Sequence, residues 1–196
     1  MGTCSSALKG PAETETLHTE IPKTNDILAH ACHAFSKPVY LAALSFLAVS
    51  APQAASARWI DMANGNVPPK AQPAGNEANG QPLFLCRATF NGGIHPGKIR
   101  TEFGGCNVAW GGQEHKVTNY QVWVGDLKWR ADSNGNMPGN ARLPGNEANG
   151  EKLGVCRASF QGGLHPGKIR TAFGGCNIPW GGQEHMVPNY QVLIKN

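Results

Sequence analysis

The sequence predicts an all-β protein, and three observations carry that prediction. Glycine reaches 25 and proline 14 of the 196 residues, a pairing that cuts a chain into short segments. Beyond residue 57, no window keeps a helical apolar period over about 12 residues. Finally, Trp59 to Val124 aligns on Trp129 to Ile194 at a constant offset of 70 without an insertion, with 42 of 66 positions identical. A repeat of this fidelity implies duplication, and hence one compact body with pseudo-twofold symmetry.

Within each copy the strands follow from pattern. Leu83 to Phe90 and Leu153 to Phe160 hold β-formers between turn signals. Tyr120 to Val124 and Tyr190 to Ile194 alternate apolar and polar residues or end in an apolar run, which suits the last strand of each copy. Asn91-Gly-Gly93, Gly104-Gly105 and Gly111-Gly112 are read as turns that use positive φ. Whether the two antiparallel copies sit side by side or exchange strands is not readable from periodicity.

The domain reading has three parts: a leader over 1–57, one repeat over 58–124 and a second over 125–196. In the leader an apolar segment, 38–51, follows Lys37, and Ala55-Ser56-Ala57 is a small-x-small cleavage pattern. The segment is shorter than the ~20 residues of a membrane span, so it reads as a secretory signal cleaved near Ala57. A secreted protein, extracellular or periplasmic, is expected. The polar stretch 1–36 ahead of it is unusual for a signal and would be explained by a start assigned too far upstream. The formal charge is +4, with no run of five or six basic residues. No nucleic-acid partner and no membrane span are therefore expected.

Beyond the leader lie Cys86, Cys106, Cys156 and Cys176. An even number in a secreted chain reads as disulfides with three possible connectivities, among which repeat symmetry favours Cys86–Cys106 and Cys156–Cys176. A zinc site with the nearby histidines is the rival, but it lacks the close cysteine spacing of structural zinc sites. No metal and no cofactor are expected.

The repeated blocks are Gly75-Asn-Glu-Ala-Asn-Gly80, an apolar strand ending in Arg87-Ala88, Pro96-Gly-Lys98, Phe103-Gly-Gly-Cys-Asn107, Trp110-Gly-Gly-Gln-Glu-His115 and a closing Tyr120-Gln-Val122. In that order, twice, they resemble the DM9 repeat, over essentially all of 58–196. Tandem DM9 proteins include mannose-binding lectins and the lectin portion of natterin-like toxins, whose pore-forming part finds no counterpart here. The resemblance implies two intimately packed β repeats, often a homodimer, with a mannose-type glycan held by an acidic residue and the lysine of Pro-Gly-Lys. By motif position these are Glu77 and Lys98, then Glu147 and Lys168. The family acid is an aspartate where this chain has glutamate, which bears on the exact sugar.

The chemistry suits those residues. A carboxylate accepts from neighbouring sugar hydroxyls while an ammonium donates to their lone pairs. Glu77 lies in a glycine- and asparagine-rich turn read as exposed, and Gly97 before Lys98 is read as room for a ligand. The plainer alternative is a surface salt bridge between the two. Secondary candidates are Trp110 and Trp180, as stacking platforms or core plugs, and Asn76 and Asn146, which in turns usually bond their own backbone. Trp59 and Trp129 read as core anchors. Glu114 with His115 and Glu184 with His185, helped by His95 and His165, form the one acid/base constellation, but neighbours on a strand point to opposite faces. The expectation is thus a binding protein with up to two sites and no catalytic residue. A non-sugar interaction module is the alternative, and a glycan hydrolase is the weaker one. Amino-terminal sequencing of secreted material should begin near Arg58, whereas a cytosolic product with its leader intact would overturn the secretory reading.

Overall fold

The computed structural model describes residues 56–196. The apolar segment and nearly all of the leader lie outside the described residues. Copy one contributes β1 (Arg58–Ala63), β2 (Pro73–Asn76), β3 (Pro82–Phe90), β4 (Gly93–Ile99), β5 (Cys106–Trp110), β6 (Gln113–Val117) and β7 (Asn119–Val124). Copy two contributes β8 (Lys128–Ser133), β9 (Gly145–Asn146), β10 (Lys152–Phe160), β11 (Gly163–Ile169), β12 (Cys176–Trp180), β13 (Gln183–Val187) and β14 (Asn189–Ile194). The helical content of the described residues is two single 3-10 turns, Thr101–Phe103 and Thr171–Phe173. The four strands expected from sequence are present, each extended by one residue at its start.

The long strands are buried on both faces, and the period of two divides their side chains between two cores. Cys86 and Ala88 of β3 join Ile99, Val108, Tyr120 and Val122 in a core private to copy one. Cys156 and Ala158 of β10 do the same in copy two. The alternate residues Leu85 and Val155 point the other way, into a third core shared by the copies with Ala74, Trp123 and Leu193. Trp59 and Trp129 pack against that shared core, as their positions at the head of each copy suggested. Each private core is closed by its own disulfide, Cys86–Cys106 and Cys156–Cys176. All four cysteines beyond the leader are therefore committed, and none is left to ligate a metal. Such bonds persist in oxidising compartments.

Pairing between copies is what completes the sheet. Strand β2 lies between β3 of its own copy and β11 of the other, through Leu164 opposite Asn76. Symmetrically, β9 lies between β10 and β4, through Ile94 opposite Asn146. With the hairpins β3–β4 and β10–β11, the ladder β2-β3-β4-β9-β10-β11 returns to β2 and closes an antiparallel ring. The copies thus lie neither simply side by side nor fully swapped: each lends one short strand to the other's hairpin. A second junction forms where the β5–β6 and β12–β13 turns meet, with Glu114 N–H donating to Gly182 O at 3.1 Å and Glu184 N–H to Gly112 O at 3.0 Å. The arginine of each Arg-Ala pair adds a third tie. Arg87 Nη1 donates to Pro144 O at 2.7 Å and Arg157 Nη1 to Ala74 O at 3.0 Å.

The turns correct the sequence reading in part. Asn91 (φ 44) and Gly92 (φ 79) make the left-handed pair of a two-residue hairpin turn. Gly93 and Gly105 are not at positive φ; they are needed for close approach, since a Cβ would crowd the carbonyls of Asn146 and Val117. The same constraint holds at the ring junctions. A Cβ on Gly75 would overlap the Leu164 carbonyl, and one on Gly145 the Ile94 carbonyl. Gly75→Ala and Gly145→Ala should each cost about 1–3 kcal/mol, the usual range for forcing extra atoms into packed structure. Urea denaturation will read this, and an unchanged midpoint for both would show the junctions to be looser than described.

Candidate functional site

Two buried ammonium groups define the site. Lys98 on β4 and Lys168 on β11 are each only 2% exposed. An unpaired buried ammonium is strongly unfavourable, so its neighbours carry the explanation. Lys168 Nζ is 3.5 Å from Glu147 Oε1 and 4.0 Å from Glu184 Oε1. It also lies 3.3 Å from Nδ1 of His95, which belongs to the other copy. Lys98 Nζ mirrors this, 3.7 Å from Glu77 Oε1 and 3.2 Å from Nδ1 of His165.

The histidine tautomer follows from its second contact. His95 Nε2 is 3.2 Å from Phe90 O and His165 Nε2 is 3.1 Å from Phe160 O. A carbonyl only accepts, so Nε2 carries the hydrogen and Nδ1 is left as the acceptor for lysine. Burial pushes both imidazoles below the ordinary histidine range, and the facing lysine pushes them further. Burial also lowers both lysines, while Glu77 and Glu114, or Glu147 and Glu184, oppose that shift. Each lysine is therefore the centre of a charge-assisted cluster drawn from both copies.

The carboxylates are positioned by turns and by backbone. Glu147 opens a tight turn closed by Gly150 N–H to Glu147 O at 2.9 Å, and Asn146 Nδ2 donates to Glu147 O at 2.9 Å. Asn76 does the same for Glu77, so both asparagines bond local backbone, as turn asparagines usually do. Glu184 Oε1 accepts from Asn177 Nδ2 at 2.8 Å, and its Oε2 accepts from Gly112 N–H of the other copy at 2.8 Å. Glu114 is held in the same way by Asn107 and Gly182.

Above Lys168 opens a cleft of about 460 Å³, lined by Glu147, Glu184, Asn177 and Arg170 of copy two and by Asn91 and Trp110 of copy one. The expected pairs Glu77/Lys98 and Glu147/Lys168 thus come together, and Glu184 and Trp110 border the second of them. Trp110 faces the pair of the opposite copy, not its own. His115 and His185 stand apart. They stack on Phe90 and Phe160 at 4.4 and 4.6 Å, and each bonds the carbonyl of the tryptophan five residues earlier. They therefore brace the aromatic wall. Glu114 and His115 diverge, as strand alternation requires.

Three details depart from the sequence reading. The Glu–Lys pair is no surface bridge, because the lysine side chain is 3% exposed and Glu77 20%. Glu77 is correspondingly less open than its turn suggested. Gly97 serves strand contact and not a ligand, because a Cβ there would overlap the Asn107 carbonyl across β4–β5. The part played by His95 and His165 was missed. Their offset of three from the lysine was a partial signal: an odd separation on a strand places histidine and lysine on opposite faces and so keeps them apart within one copy, without saying which strand the histidine meets. Arg170, Asn177 and Asn91 were missed because only the tertiary fold lines them up.

Among the described residues, no group of three or more His, Cys, Asp or Glu is placed to hold a metal ion. Nor is any helix among them long and apolar enough to cross a membrane.

A family model described as the DM9 repeat matches residues 43–117 and 93–187. Natterin-3 of Thalassophryne nattereri is 26% identical over 141 residues, covering 67% of this chain and 34% of its own length. The chain thus spans about a third of that relative. The crystal structure of the nematode sperm cell motility protein MFP2B superposes with a TM-score of 0.53 at 14% identity, covering 70% of this chain and 46% of that one. At this identity the likeness concerns the fold alone.

The depressed histidines set a pH dependence. The unfolded chain takes up protons near pH 6.5, which the folded imidazoles resist, so stability is full above that point and falls as pH drops below it. Each histidine contributes at most about 1.4 kcal/mol per pH unit in that window. Denaturant midpoints should fall between pH 7.5 and 5.5 and flatten in His95→Asn/His165→Asn; an equal slope in that variant would rule out the assignment.

Proposed function

The chain belongs to the DM9-repeat family, and from that premise we propose that it is a secreted glycan-binding lectin with two sites, which takes mannose-type sugars. The observation that carries this reading is the buried Lys168 ammonium flanked by Glu147 and Glu184 beneath an open cleft. A pyranose presents adjacent hydroxyls, each both donor and acceptor. The carboxylates accept from them, and the ammonium donates. Trp110 on the cleft wall offers an apolar face to the less polar side of the ring. The cluster is fixed before the ligand arrives, because carboxylate and lysine are already held by neighbours from both copies. Prior fixing of this kind reduces the ordering cost of binding.

Binding fits the site better than hydrolysis. Glu147 and Glu184 share one ammonium, and Glu184 accepts two further N–H bonds. Such a carboxylate is held as an acceptor, whereas glycoside hydrolysis needs one carboxyl that delivers a proton. Two weak sites on one chain, doubled in a homodimer, would raise avidity by ~10²–10⁴ where geometry allows both to engage. Agglutination of glycan-coated surfaces is the expected consequence.

Lys98→Ala/Lys168→Ala should lose retention on mannose resin by well over tenfold, since each site loses a charge-assisted donor worth about 1.5–3 kcal/mol. Its circular dichroism should match the parent, and Lys→Met at both positions keeps the packing volume as a check. Undiminished retention by a folded double variant would remove the lysines from the site.

A further inference from the structure

The two sites sit on nearly identical repeats, yet their rims differ in charge placement. Arg100 and Arg170 occupy equivalent positions, each laid over a phenylalanine ring, Phe103 at 4.9 Å and Phe173 at 4.7 Å. Each also bears on its site lysine, lowering Lys98 or Lys168 by charge. The acid that answers each arginine is different. In copy two, Arg170 Nη1 donates to Glu151 Oε2 at 2.7 Å. In copy one, the residue matching Glu151 is Gln81, and the nearest acid is Glu102, whose counterpart in copy two is Ala172. Glu102 Oε2 stands 3.7 Å from Arg100 Nε, too far for a hydrogen bond, and its side chain is 62% exposed. Consequently Nε and Nη1 of Arg100 are both buried without an acceptor, whereas in Arg170 only Nε is. Beside Arg100 lies a cleft of about 140 Å³ lined by Gln81, Pro82, Phe84, Thr101 and Glu102.

We infer that the two sites are not equivalent: the copy-one site, through Arg100, takes a glycan carrying an anionic substituent, whereas the copy-two site takes a neutral one. This deepens the lectin reading and rests on it for the sugar. The guanidinium lies over the Phe103 ring with no acid hydrogen-bonded to it, so its Nε–H and Nη1–H donors are left to be answered by a carboxylate or sulfate. An incoming anion displaces only Glu102, a solvated carboxylate with no hydrogen bond to the arginine, and exposed pairs of that kind hold weakly. At Arg170 the same anion meets Glu151, hydrogen-bonded to the guanidinium and carrying the same sign of charge.

The test isolates each site in the full chain. Lys168→Met leaves the copy-one site and Lys98→Met the copy-two site, and calorimetry compares methyl α-mannoside with mannose 6-sulfate and mannuronic acid. The Lys168→Met chain should prefer the anionic sugars by about tenfold, in line with one added charge-assisted contact. The Lys98→Met chain should show no preference. Adding Gln81→Glu should abolish the preference at the first site, and Glu151→Gln should create one at the second. Equal preference at both sites, or a preference that survives Gln81→Glu, overturns the inference. An arm independent of any sugar titrates inorganic sulfate and follows the arginine Nε–Hε resonances of the unaltered chain. Arg100 should move saturably and Arg170 should not, and equal or absent responses overturn the inference. A response at Arg100 in a chain that binds no sugar would retain the anion site and sink the lectin reading.

Discussion

Two lysine ammonium groups buried at the junction of the copies constrain everything around them. Lys98 and Lys168 are each only 2% exposed, so each is answered mainly by protein acceptors, and these are drawn from both copies. Glutamate comes from the same repeat, while the neutral imidazole comes across the junction. The close strand approach that brings His165 to Lys98 and His95 to Lys168 is the one that closes the β2-β3-β4-β9-β10-β11 ring. Glycine at 75 and 145 is what lets those strands meet. Site and fold are therefore one arrangement, since neither lysine environment would exist in an isolated repeat.

The division of labour along each strand explains how a short repeat achieves this. Strand β3 places Cys86 and Ala88 in its private core and Leu85 in the shared one, and β10 repeats the pattern. The private cores, each stapled by a disulfide, hold the copies as units. The shared core and the polar ties through Arg87, Arg157, Glu114 and Glu184 then fix one copy against the other. Burial supplies most of the favourable term and the polar ties supply register, because a misplaced buried hydrogen-bonding group costs more than a formed one contributes.

Symmetry holds where packing demands it and lapses at the rim. Cysteines, the site lysines Lys98 and Lys168, histidines and the Trp-Gly-Gly-Gln-Glu-His block are identical in both copies, whereas the acids beside Arg100 and Arg170 stand at different positions. Surface charge can drift without cost to the core, which is where two duplicated sites can come to differ.

The sequence by itself determined the all-β class, the duplication, the strands β3, β10, β7 and β14, the disulfide pairing and the joining of each glutamate to the lysine of its own repeat. All but the last rest on period, turn residues and repeat symmetry, which are local or set by a constant offset; the joining of glutamate to lysine is what the resemblance to the DM9 repeat implied. The tertiary structure alone decided that the copies interleave, that the lysines are buried, that Trp110 lines the cleft over the opposite copy's lysine and that His95 and His165 cross the junction. The physical reason is that strand alternation says which face a side chain takes but not which strand lies opposite it. That partner is chosen by ring closure, a property of the two repeats together.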